Sequence, residues 1–121
     1  MTSAEWKLLE EVGYVRLGVV LTEAEIDRLC QHIDQIMWGT IRYPGMRMQL
    51  YPSALGSEKV SRFSGGSLKY RKIEQLEMDP LFLKYIQHPL FRNITRKNGG
   101  KVGVFRSMFF NKPVQGSVSL G

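Results

Sequence analysis

The chain of 121 residues has 43% hydrophobic and 23% charged side chains, one cysteine and two histidines, which excludes a disordered or collagenous chain and leaves room for one domain. The single Cys30 excludes an intrachain disulfide and a cysteine-built zinc cluster. No run approaches the ~18 apolar residues of a membrane span and the N-terminus lacks a signal-peptide pattern, so no membrane partner and a cytoplasmic location are expected. The charge is polarised: residues 1–41 hold three basic and seven acidic side chains, residues 42–121 fourteen and four, a field that favours an anionic partner.

Thr2-Ser3-Ala4-Glu5 predicts a capped helix that ends before Gly13, and the β-prone run Tyr14 to Val20 predicts a mostly buried strand. Thr22-Glu23-Ala24-Glu25 is a second capping box. Behind it Ile26, Leu29, Cys30, Ile33, Ile36 and Met37 recur at helical spacing until Gly39 closes the helix. From Thr40 to Gly66 the periodicity fails, which predicts a long irregular loop able to act as a lid. Asp79-Pro80 then reads as a helix start, His88-Pro89 breaks that helix, and a second short helix follows to Asn98-Gly99-Gly100.

Val102 to Asn111 alternates as a strand whose two faces both look covered, and Pro113 ends it. Gln115-Gly116-Ser117 reads as a turn and Val118 to Gly121 as the opening of another strand. Two or three strands cannot cover both faces of that segment, so either another chain completes the sheet or the sequence is the front part of a longer one. The expected class is α+β, with residues 1–121 one incomplete domain.

Chemistry-bearing patterns are few. His32-Ile33-Asp34 has the His-x-Asp form of an iron-binding pair, but two helical steps of ~100° point the side chains nearly apart, so both are expected on a solvated helix face. His88 at a helix boundary reads as a capping or surface residue. Nucleophile elbows, phosphate loops and dinucleotide turns are absent from the sequence. The basic stretch Arg42 to Lys72, with Tyr43, Tyr51, Phe63 and Tyr70, offers stacking rings and phosphate partners, yet no nucleic-acid recognition motif accompanies it, which disfavours nucleic acid as the partner.

Phe105-Arg106-Ser107-Met108-Phe109-Phe110-Asn111-Lys112-Pro113 resembles the segment that leads into the metal motif of the phytanoyl-CoA dioxygenase family. Gly13-Tyr14-Val15-Arg16-Leu17 resembles that family's opening strand, and Lys72-Ile73-Glu74-Gln75-Leu76 before Asp79 its central segment, so the likeness runs along nearly the whole chain. It implies the N-terminal helices and first strands of a double-stranded β-helix, a jelly-roll or cupin-like fold. The implied enzyme is a non-haem dioxygenase that uses Fe(II), 2-oxoglutarate and dioxygen, with ascorbate as a possible helper, to hydroxylate a small organic or acyl-CoA-type substrate.

By the same resemblance, Lys72 matches a lysine near a 2-oxoglutarate carboxylate, and Met108 a residue lining that pocket. Tyr70 and Arg106 are further candidates by position. The resemblance places all iron ligands beyond Gly121, so the chain by itself is expected to be an inactive N-terminal fragment. The alternative is a standalone basic binding module for nucleic acid or another anionic partner.

Overall fold

The structure, a computed structural model, describes residues 1–51, 63–97, 99 and 101–112. Helix α1 spans Ser3–Val12 and α2 Glu23–Trp38. Both start at the predicted capping boxes: Thr2 and Thr22 each accept the N–H of the glutamate three residues on, and that glutamate accepts the threonine's own N–H. Gly13 and Gly39 close them in the left-handed conformation. Helices α3, Pro80–Ile86, and α4, Pro89–Arg96, follow Asp79 and His88 as their N-caps, as the two proline signals predict.

Three antiparallel strands form one sheet in the order β1 (Met48–Leu50), β2 (Tyr70–Glu74), β3 (Met108–Phe110). Met48 pairs with Ile73, Gln49 with Lys72 and Leu50 with Tyr70, so Arg71 bulges out of the first ladder. On the other side Lys72, Ile73 and Glu74 face Phe110, Phe109 and Met108. Alternation then sorts the side chains: Met48, Leu50, Tyr70 and Ile73 are buried together with Ile33, Ile36 and Met37 of α2, and Phe109 packs on that cluster. Burial of a side chain such as Ile36 or Ile73 contributes about 2–3 kcal/mol. The element mix is α+β, as expected.

The C-terminal end of α2 is seated on the chain that enters β2. Ser67 donates its N–H to the Met37 carbonyl, and a Cβ at Gly66 would stand 2.7 Å from the Trp38 carbonyl oxygen, so this approach requires glycine. Tyr70, fully buried, anchors the same turn by donating to the Gly65 carbonyl and accepting the Ser64 N–H.

Four expectations are corrected. Tyr14 to Val20 is not a strand and is not mostly buried: Gly18 within it takes a left-handed φ of +76 and Val19 is 92% exposed. The strand expected over Val102 to Asn111 contracts to Met108–Phe110, because its partner β2 leaves the sheet at Gln75, in left-handed backbone at φ 64, and enters a 3-10 turn over Leu76–Met78. Nor are both faces of that strand covered, since Met108 and Phe110 are exposed. The segment 40–66 is not wholly irregular, because β1 and the buried Met46 lie within it. The lid expectation for 52–62 and the turn and strand expected from Gln115 to Gly121 fall outside the described residues.

Candidate functional site

The sheet face turned away from α2 brings the two predicted site residues together. Lys72 and Glu74 share a face of β2, and their cross-strand partners Phe110 and Met108 share the matching face of β3, so Lys72 and Met108 are diagonal neighbours. Lys72 Nζ lies 6.0 Å from the Phe110 ring centroid. Glu74 is the acid around which the cations gather: Lys72 Nζ and Arg47 Nε are each 3.7 Å from its Oε2, and Arg106 Nε is 4.0 Å from its Oε1. Arg71, on the bulge, donates from Nη2 to Gln49 Oε1 at 2.7 Å.

One carboxylate cannot neutralise three cations, so the cluster keeps an excess of positive charge beside exposed apolar surface from Met108 and Phe110. Arg47 and Arg106 are more than half exposed, and their pairs with Glu74 are each worth no more than about 1 kcal/mol. Lys72, at 26% exposure, is the better shielded cation. The arrangement suits a small ligand that carries two negative groups and lies flat on an apolar patch. Asn111 fixes the end of β3 by donating from Nδ2 to the Leu68 and Tyr70 carbonyls, and its own carbonyl accepts from the Tyr51 hydroxyl.

A second polar cluster lies on the other side of the core. Asp79 is fully buried and accepts four hydrogen bonds: the Leu81 and Phe82 N–H groups on Oδ1 at 2.8 and 3.2 Å, and His32 Nε2 and the Tyr43 hydroxyl on Oδ2, both at 2.6 Å. Burial alone would raise the Asp79 carboxyl, but the bonds from Tyr43, His32, Phe82 and Leu81 outweigh it and hold the group below its ordinary value. Burial and the adjacent Asp79 charge push the Tyr43 phenol up to about 12. One carboxylate thus ties α2, the turn before β1 and the start of α3.

This corrects the expectation for His32, which is largely withdrawn from solvent and bonded to Asp79; Asp34 is exposed as expected. The signal was in the spacing, because His32 sits three residues after Leu29 and four before Ile36, on the border of the apolar stripe. His88 does cap, its Nδ1 accepting the Leu90 N–H at 3.1 Å. Tyr70 is buried in the core rather than lining the open face, whereas Arg106 joins the Glu74 cluster.

The aromatic rings considered for base stacking are occupied within the fold. Tyr43 is bonded to Asp79, Phe63 packs on the core and lies 6.0 Å from the Tyr70 ring, and Tyr51 is held on Asn111. Among the described residues, no three His, Cys, Asp or Glu side chains form a group able to hold a metal ion, and no helix is long and apolar enough to cross a membrane. No family model, curated protein or solved structure matches the chain.

Proposed function

We propose that the chain supplies the co-substrate wall of a 2-oxoglutarate-dependent dioxygenase of the type its sequence resembles, its three strands opening a double-stranded β-helix. The observation that carries this reading is the juxtaposition of Lys72 and Met108 on one uncovered sheet face with surplus positive charge. Lys72 would hold a carboxylate of 2-oxoglutarate, with Met108 and Phe110 packed against its carbon chain. Glu74 orients the lysine and, by occupying Arg47 and Arg106 as well, limits how tightly the site grips any single anion.

The described residues do not fit an iron site, so no step through the metal is assigned to them. On this reading the iron ligands belong to sequence outside residues 1–121, and iron with 2-oxoglutarate would supply the activation of dioxygen. The prime substrate would be a small organic or acyl-CoA-type molecule.

The test is to express the complete coding frame and follow Fe(II)-dependent conversion of 2-oxoglutarate to succinate, with and without ascorbate. Lys72→Ala is expected to raise the KM for 2-oxoglutarate about tenfold with kcat at saturation held within about twofold, the pattern for loss of a binding contact. An unchanged KM removes Lys72 from the site. A coding frame without a His-x-Asp motif and a later histidine overturns the enzyme reading and leaves the basic binding module as the alternative, tested by salt-dependent binding to an anionic partner.

A further inference from the structure

A cavity of about 560 Å³ lies between the N-terminal half of α2 and the α3–α4 pair, formed by elements that do not belong to the sheet. Its lining combines half-buried apolar side chains, Leu29, Leu81 and Tyr85, with three exposed cations, Arg28, Lys84 and Arg92, one from each helix. None of these cations lies within 4.0 Å of a carboxylate among the described residues. The one acid on the lining, Glu25, accepts from the Thr22 N–H and hydroxyl, and these bonds together with the His88 and Lys84 charges hold its carboxyl below its ordinary value, so it offsets part of the cation set.

Two further features give the cavity a defined wall. Tyr85 is set edge-on against Phe91 at 5.6 Å, which fixes its ring. His88 accepts at Nδ1 from Leu90, which in the neutral ring leaves the proton on Nε2 and makes that nitrogen a donor. The volume falls within the range of small-molecule sites, and the lining asks for a ligand with an apolar body and a strongly anionic end.

We propose that this cavity is a binding site for a small phosphate monoester with an aromatic or branched apolar group, the apolar part against Leu29, Leu81 and Tyr85 and the phosphate between Arg28 and Arg92 with Lys84 beside them. The site is separate from the Lys72 face and does not depend on the function proposed for it. A carboxylate on the same body would meet only part of the cation set, since a phosphate carries more charge and more acceptor oxygens.

The probe is 1-naphthyl phosphate, titrated by its own fluorescence against the 121-residue chain, with 1-naphthol, 1-naphthoate and inorganic phosphate in parallel. Saturable binding of the phosphate ester is expected, at least about fivefold tighter than the carboxylate or either half-molecule, and weakened about tenfold in the Arg28→Gln/Arg92→Gln double variant. Arg16→Gln, which removes an exposed cation away from the cavity, should leave it unchanged. Both arginines are exposed, so the double variant should keep the wild-type circular dichroism spectrum. Absence of saturable binding, equal affinity for 1-naphthol, or an undiminished affinity in a folded double variant would each overturn the assignment.

Discussion

Asp79 and Glu74 are five residues apart and solve opposite problems. Asp79 is fully buried, and its charge is met by four donors at fixed positions. Glu74 lies on the open sheet face with cations at 3.7 to 4.0 Å that outnumber it. In the first case the fold supplies every donor the acid needs; in the second one acid stands among three cations. Four matched donors make Asp79 a structural joint, whereas the Glu74 cluster keeps an excess of positive charge.

The largest effect should come from breaking the joint. Asp79→Ala leaves two helix N–H groups, the Tyr43 hydroxyl and His32 without their acceptor, and should lower unfolding free energy by about 3–5 kcal/mol in urea titrations. A loss below about 1 kcal/mol would show that water replaces the carboxylate and that the joint is not structural. The acid side carries a sign. Because the folded carboxyl titrates below its ordinary 3.8, its contribution is complete above that value and fades as pH falls through the lower folded value, so wild type and Asp79→Asn should converge in stability only at strongly acidic pH.

Tyr43→Phe is the next step down, removing one charge-assisted bond at a cost of about 1.5–3 kcal/mol. The phenol's upward shift gives an alkaline counterpart. Its stabilisation is complete below the ordinary value of 10 and is lost as pH rises toward about 12, so ultraviolet titration should show one tyrosine ionising late, and Tyr43→Phe should delete that late component. A late ionisation that survives in the variant would reassign it to another ring.

Glu74→Gln should change stability least, by less than about 1 kcal/mol, because its partners Arg47 and Arg106 are mostly exposed. It should nevertheless raise affinity for 2-oxoglutarate at low salt, with the gain shrinking as ionic strength rises. A fall in affinity would mean that Glu74 matters more for aiming Lys72 than for opposing the ligand, which would narrow the contrast with Asp79.

What was legible in the sequence was local. The two capping boxes, Asp79-Pro80 and His88-Pro89 each specify a hydrogen bond or a fixed φ within a few residues, and the helices start where those signals stand. The placement of Met108 diagonal to Lys72 is set by the β2–β3 register, which joins residues 36 positions apart. What failed depended on partners far along the chain. Tyr14 to Val20 has strand composition without a neighbour to pair with among the described residues, and 102–107 outruns a partner strand that turns away at Gln75. His32 looked like a surface residue because its acceptor lies 47 positions later, and a buried carboxylate does not announce its donors in sequence.

Gln75 donates its backbone N–H to the Ser107 carbonyl, its side-chain oxygen accepts the Arg47 N–H, and its left-handed backbone ends β2. One residue therefore trims all three strands to a common edge, like a margin stop. The width of the charged platform is set there, so moving that stop by a residue would relocate the arginines that flank Glu74 and shift Leu76, which follows Gln75 into the core.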